Sequence, residues 1–236
     1  MRRGAVISMV VVGLVAAAVA FAIAFFIPWL PENASEERDG IDLVFWLTTT
    51  ICIFIFGIVS AMLLYAVVAF RAREGDDTDG KPIHGHTGIE IVWTAVPTAL
   101  VLTIVVASTI VLAKNEDASA NPNRIDVTAE QFAWSFDYGK KTSGELRLPV
   151  NRSTVLRLHA RDVIHSFWVP EFGQKQDAVP GIETEVVVTP TKVGEYNVIC
   201  TELCGLGHSV MRTTAIVLSQ KDYDAWVQQG QTGGQS

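Results

Sequence analysis

Three stretches of the chain carry no charged residue: Ala5–Leu30, Leu43–Phe70 and Ile91–Ala113, of 26, 28 and 23 residues. A helix crosses the hydrocarbon of a bilayer with about 20 apolar residues, so each stretch is long enough to span one. From Arg124 onward the pattern alternates instead. Apolar or β-favouring side chains stand two apart at Ile125/Val127, Phe132/Trp134/Phe136/Tyr138, Leu146/Leu148/Val150, Leu156/Leu158, Val186/Val188, Tyr196/Val198 and Thr214/Ile216/Leu218. That is the period of a strand with one buried face. Turn residues separate the runs at Tyr138-Gly139, Ser143-Gly144, Asn151, Pro180-Gly181 and Lys192-Val193-Gly194. About seven short strands within ~100 residues predict a β-sandwich or small barrel. A short helix over 221–228 and a disordered polar tail should close the chain.

The expected organisation is a signal peptide or first transmembrane helix over 1–30 and a helical hairpin over 31–113, with helices at about 43–70 and 91–113. A β domain over 114–220 and a helix and tail over 221–236 follow. The Arg-Arg start and Ala16, Ala17, Ala18 and Ala20 fit a signal peptide. The length of the run, and the lack of a small-x-small site beside Pro28-Trp29-Leu30, fit a retained helix. Both readings stay open. Thr87-Gly88-Ile89-Glu90 reads as a capping box with Thr87 as N-cap and Glu90 reaching back to a free N–H. Pro97 is expected to bend the third segment, and Cys52 to be a small buried apolar residue of the second.

Composition sharpens this. Only 18% of the 236 residues are charged and 49% are hydrophobic, with mean hydropathy +0.31; a soluble domain carries about 25% charged residues. An all-soluble protein is excluded, and three spans exclude a many-spanning transporter. A net charge of −7 argues against nucleic acid as a partner. Arg2 and Arg3 precede the first segment, and Arg71, Arg73 and Lys81 lie between the second and third. Between the first and second stands only Arg38, beside Glu32, Glu36, Glu37, Asp39 and Asp42. The positive-inside rule then leaves the N-terminus and the loop over 71–90 in the cytoplasm and the β domain outside. The expected location is the cell inner (plasma) membrane, multi-pass, with the β domain on the outer face.

The soft metal ligands of that domain cluster. Its cysteines are Cys200 and Cys204 and its methionine is Met211, all within Cys200-Thr201-Glu202-Leu203-Cys204-Gly205-Leu206-Gly207-His208-Ser209-Val210-Met211. His165 lies upstream; His159 is the other histidine of the domain. Three readings compete. A disulfide suits an oxidising compartment but gives His208 and Met211 no part. A zinc site of two Cys and two His leaves Met211 without a role. A histidine followed by Cys-x3-His-x2-Met is the ligand set of a blue copper site. The extra thiolate, Cys200, allows both sulfurs to bridge a pair of coppers, each capped by one histidine. Such a site has no open position for substrate and would act as an electron relay.

This stretch resembles the copper A motif of cytochrome c oxidase subunit II, Cys-x-Glu-x-Cys-Gly-x-x-His-x-x-Met. Asp162-Val163-Ile164-His165-Ser166-Phe167, Lys175-Gln176-Asp177-Ala178-Val179-Pro180-Gly181 and Glu90-Ile91-Val92-Trp93-Thr94-Ala95-Val96-Pro97 support the resemblance, which covers residues ~40 to 226. It implies a membrane α-helical hairpin, plus the N-terminal apolar segment, followed by an all-β cupredoxin-like Greek-key sandwich. It implies that Cys200 and Cys204 bridge two copper ions, with His165 and Met211 completing one and His208 and the Glu202 backbone carbonyl the other. The Glu202 side chain would reach a magnesium ion shared with subunit I. Glu90 matches the family's acid near the cytoplasmic mouth of a proton path in the neighbouring subunit. The implied function is to accept electrons from cytochrome c and pass them to haem in subunit I, where oxygen is reduced to water with proton pumping. The chain carries no oxygen site. Subunits I and III, a cytochrome c-type donor and the lipid bilayer are the implied partners.

Two departures matter. The family commonly has Gln-Trp-x-Trp where electrons arrive; here it is Gln131-Phe132-Ala133-Trp134, so Phe132 takes the first place and Trp134 the second. That favours a different donor, or one that is tethered or held in a supercomplex. Ile182 stands where the family has Arg after Pro-Gly, and no Cys-x-x-Cys-His is present for a haem of its own. A membrane-anchored copper chaperone is the rival from another class; the Gly205-x-x-His208-x-x-Met211 continuation and the β-only domain argue against it. A quinol-oxidase relative would lack the ligands.

Overall fold

The computed structural model describes residues 3–71, 74–75, 79–80, 82 and 84–232. Arg2, Arg73 and Lys81, used above for orientation, and residues 233–236 of the tail lie outside the described residues. The chain packs as two units, residues 1–30 with 43–108, and residues 31–42 with 109–236.

The first unit takes its body from three helices, α1 (Arg3–Phe26), α2 (Glu36–Ala69) and α3 (Thr87–Glu116), each long and apolar enough to cross a membrane. Small residues let α1 approach α2: a Cβ on Gly57 would lie 3.1 Å from the Ala17 Cβ, and one on Gly13 3.1 Å from that of Ala61. Nearby, Phe21, Phe25 and Trp46 stack in series at 4.2 and 4.7 Å. Apolar side chains such as Phe54, Leu64 and Val106 face outward, as residues touching lipid do. Cys52 is exposed too, which corrects the expectation of burial: it lines an open cleft with Ala20 and Phe45. The α3 cap also differs. His86, not Thr87, is the N-cap; its Nδ1 accepts the Ile89 N–H at 3.3 Å, and Glu90 Oε1 accepts the His86 N–H at 3.0 Å. The reciprocal logic of the capping box survives one residue earlier, because an imidazole nitrogen accepts as a hydroxyl does. Helix α3 runs through Pro97 without a break.

The second unit is a sandwich of two five-stranded sheets. One has the order β3-β2-β1-β5-β8, the other β4-β10-β9-β6-β7. The strands are β1 (Asn123–Glu130), β2 (Ala133–Asp137), β3 (Thr142–Ser143), β4 (Leu146–Pro149), β5 (Thr154–Ala160), β6 (His165–Trp168), β7 (Lys175–Ala178), β8 (Thr184–Val188), β9 (Gly194–Cys200) and β10 (Arg212–Leu218). β1 pairs in parallel with β5 and β4 with β10, so the chain crosses repeatedly between sheets, as a Greek-key cupredoxin-like sandwich requires. Ile125, Val127, Phe136, Leu146, Leu148, Leu156, Leu158 and Val198 fill the space between the sheets. In β10 the phase differs from the Thr214/Ile216/Leu218 set: Ala215 and Val217 are the buried residues. The terminal helix α4 (Gln220–Thr232) extends four residues past the predicted 228.

The start of α2 and the end of α3 belong to this unit. Ser35 caps α2, its Oγ accepting the Arg38 N–H at 3.3 Å and donating to the Phe172 carbonyl at 3.0 Å. The buried Arg38 pairs with Asp42 at 3.2 Å and donates to the Pro170 carbonyl. Asn115 donates to the Glu37 carbonyl, and the Glu37 carboxylate accepts the Thr189 N–H, each at 3.0 Å.

Candidate metal centre

Two places on one sheet build the site. His165 opens β6; the loop between β9 and β10 supplies the rest. Cys200 ends β9, and its N–H donates to the Met211 carbonyl at 3.1 Å, so the mouth of the loop is closed like a hairpin. Thr201 N–H donates to the Ser166 carbonyl at 3.0 Å, tying the loop to β6 beside His165. A turn of 3-10 helix over His208–Val210 brings His208 and Met211 back toward Cys204. Gly205 has φ +132, a conformation that side chains disfavour, and lets the loop reverse.

The result is a buried knot of soft donors. The two unbonded sulfurs, of Cys200 and Cys204, stand 3.9 Å apart. Cys200 Sγ is 3.9 Å from His165 Nδ1 and 3.3 Å from the Glu202 carbonyl oxygen. Cys204 Sγ is 3.7 Å from both His208 Nδ1 and Met211 Sδ. His165, Cys200, Cys204 and Met211 are all buried. A metal–thiolate bond spans about 2.3 Å, so sulfurs 3.9 Å apart can both bond one ion. Each sulfur has a histidine on one side and a weak donor on the other, and ions lying across the pair would draw on both sets. The donor set fits copper: two thiolates and a thioether are soft ligands, and imidazole suits copper too.

Nearby groups set the protonation. His165 Nε2 lies 2.8 Å from Asp162 Oδ1, which leaves Nδ1 as the free donor toward Cys200. Partial burial pushes the Asp162 carboxyl up, but hydrogen bonds from His165 and from the Gln131 and Val163 N–H groups outweigh it and hold it down at about 2. Burial, with the neighbouring Cys200, pushes the metal-free Cys204 thiol up to about 11. Metal binding must therefore expel a proton there.

Of the two aromatic candidates, Trp134 is buried, edge-on to His165 at 6.3 Å and to Phe167 at 5.6 Å. Phe132 is half-exposed and covers the ligand loop, touching the positions of Gly205 and Gly207. Beside it, Gln131 Nε2 donates to the Cys204 carbonyl. Glu202 exposes its side chain, and Glu90 sits in the first turn of α3. His159 pairs with Glu183 at 3.7 Å and is not in the cluster. The roles of Asp162 and Gln131 escaped sequence reasoning; the spacing of Asp162 three residues before His165 was the available signal.

Residues 18–111 match the family model of the transmembrane domain of cytochrome c oxidase subunit II, and residues 139–219 that of its periplasmic domain. Cytochrome c oxidase subunit 2 of Synechocystis sp. is 33% identical over 84% of this chain and 74% of its own length. That of Thermostichus vulcanus is 33% identical over 93% of this chain and 84% of its own. The chain belongs to the cytochrome c oxidase subunit II family. Among solved structures, the periplasmic domain of subunit II of cytochrome oxidase from Bradyrhizobium japonicum is 29% identical, with TM-score 0.45, covering 50% of this chain and 96% of that one. Family membership makes this chain a membrane-bound subunit of a haem–copper oxidase, associated with other oxidase subunits, with the sandwich as its outer-face domain.

Proposed function

We propose that this chain takes electrons from a cytochrome c-type donor at a dinuclear copper A centre and hands them to haem in subunit I of a proton-pumping oxidase. The observation that carries this reading is the pair of unbonded, buried sulfurs 3.9 Å apart, flanked by His165, His208, Met211 and the Glu202 carbonyl. Bound copper would supply a one-electron couple whose charge change is spread over two metals and two thiolates. The residues do the rest. Cys200, Cys204, His165, His208, Met211 and the Glu202 carbonyl would hold the copper. Asp162 fixes the His165 ring, and the β9–β10 frame keeps the ligands in place through the redox cycle, so little has to move.

Donor docking is supported by the surface. Phe132, Leu203, Leu206 and Val210 are exposed apolar residues around the loop, with Asp137, Asp162 and Glu202 exposed among the acids of the domain. An apolar patch with an acidic surround suits a donor with a basic rim, whose association slows as salt rises. Phe132 takes the contact role of the family's tryptophan, which favours a tethered donor or one in a supercomplex. The exposed Glu202 carboxylate would share a magnesium ion with subunit I, and Glu90 would serve the proton path; subunit III would complete the assembly in the plasma membrane.

The test uses the assembled oxidase. With Cys204→Ser the haems should still reduce with a small chemical reductant, while reduction through cytochrome c falls by about three orders of magnitude or more. Unchanged cytochrome c-driven haem reduction in that variant overturns the reading.

A further inference from the structure

Away from the metal centre, the seam where α2 begins and α3 ends holds a polar cavity of about 510 Å³, within the second unit. This is the size of a small-ligand pocket, about 300–1,000 Å³. Its charged lining is mixed: Lys114 and Arg152 against Glu36, Glu37 and Asp117. Glu37 already accepts the Thr189 N–H, and none of the other four has an ion pair or side-chain hydrogen bond among the described residues. Oppositely charged groups lining one cavity without pairing leave both signs free for a ligand. A second observation points the same way. Ser153 also lines the cavity, is 9% exposed, and its Oγ has no hydrogen-bond partner; a buried hydroxyl left so costs free energy until something satisfies it. The frame is firm, since the Asn115–Glu37–Thr189 hydrogen bonds join three of its four segments.

Position narrows the ligand. Lys114 is the first residue past the charge-free run of α3, and Glu36 stands seven residues before that of α2, about 10 Å along the helix. The headgroup layer is about 5–8 Å deep on each side of the hydrocarbon, so Lys114 stands within it and Glu36 just beyond its outer edge. A lining of both signs with an acidic excess favours a zwitterion over an anionic lipid, whose phosphate would face the carboxylates uncompensated. Carboxylates that accept N–H bonds favour a primary ammonium over a quaternary one. We propose that this cavity seats the headgroup of a phosphatidylethanolamine-type lipid from the leaflet adjoining the sandwich. Lys114 and Arg152 take the phosphate, Glu36 and Asp117 the ammonium, and Ser153 a phosphate oxygen. This assignment is independent of the copper reading.

The test is native mass spectrometry of the assembled oxidase, extracted from nanodiscs of equal phosphatidylethanolamine, phosphatidylglycerol and phosphatidylcholine, with this chain released carrying its lipid. The wild-type chain should carry one phosphatidylethanolamine adduct. Lys114→Gln/Arg152→Gln should lower that occupancy about tenfold or more, and Glu36→Gln/Asp117→Asn should shift the preference to phosphatidylglycerol. The charge-keeping pair Lys114→Arg/Arg152→Lys should retain the adduct, which separates loss of the site from loss of the fold. The proposal fails if the wild-type chain carries no adduct, if it carries the three lipids equally, or if the neutral variants match wild type. It fails also if millimolar inorganic phosphate displaces the adduct, which would make the cavity a site for free anions.

Discussion

Replacing Gly207 with alanine isolates the contact between Phe132 and the ligand loop. Gly207 has φ −91, which any residue adopts, so its backbone gives no reason for glycine. Space does: a Cβ there would lie 2.5 Å from Phe132 Cδ2, 2.6 Å from Cγ and 2.9 Å from Cε2. The near atoms include the root of the ring, so a small tilt does not relieve the clash. Either the ring swings out or the loop carrying His208 moves. Overpacking of this kind costs about 1–3 kcal/mol, or a Tm lower by roughly 4–12 °C. Phe132→Ala alone should cost less than the ~3–5 kcal/mol of a fully buried ring, because Phe132 is 40% exposed. In the Phe132→Ala background Gly207→Ala should cost almost nothing, a coupling of about 1–3 kcal/mol. The assay is thermal loss of the copper-site absorption in the intact chain for both single variants and the double. If Gly207→Ala is equally damaging with and without the ring, the steric argument is wrong.

Three further outcomes follow from the geometry. With the Cys204 thiol at about 11 in the metal-free protein, copper binding releases its proton, and Cys200 binds as a thiolate too, so apparent affinity should rise by at least about tenfold per pH unit between roughly pH 6 and 8. Chelator competition measures this, and a flat profile would refute it. Asp162→Asn should weaken copper binding about 10–100-fold by loosening the His165 ring; an unchanged affinity would remove Asp162 from the site. Because Asp162 titrates at about 2 in the fold against 3.8 ordinarily, its contribution to stability should be full above about pH 4 and lost as pH falls toward 2. Asp162→Asn should flatten that acid limb in pH-dependent unfolding.

How much of this was legible in the sequence depended on how local each cause is. The spans follow from charge-free length alone, and β1, β4, β5 and β9 from side chains two apart. The ligand loop is legible because its donors lie within twelve residues and a loop must bring them close. Where causes are not local, the reading slips. His165-Ser166-Phe167-Trp168 and Lys175-Gln176-Asp177-Ala178 form β6 and β7 with no clean alternation, since pairing with neighbours rather than pattern makes them strands. β10 shows threonines and large apolar residues in one phase but buries the smaller Ala215 and Val217 of the other. His86 displaces Thr87 as cap because imidazole is rarely read as an N-cap acceptor. The reason for Gly207 lies some 75 residues upstream in Phe132, and the cavity at the helix seam joins segments from four parts of the chain.

The account turns on the sulfur pair, and the most direct measurement is electron paramagnetic resonance with metal analysis on the oxidised, assembled oxidase. One unpaired electron split by two equivalent copper nuclei, with two coppers per chain at this site, is the predicted result. A single-copper spectrum, or a Cys200–Cys204 disulfide in the active complex, would contradict it.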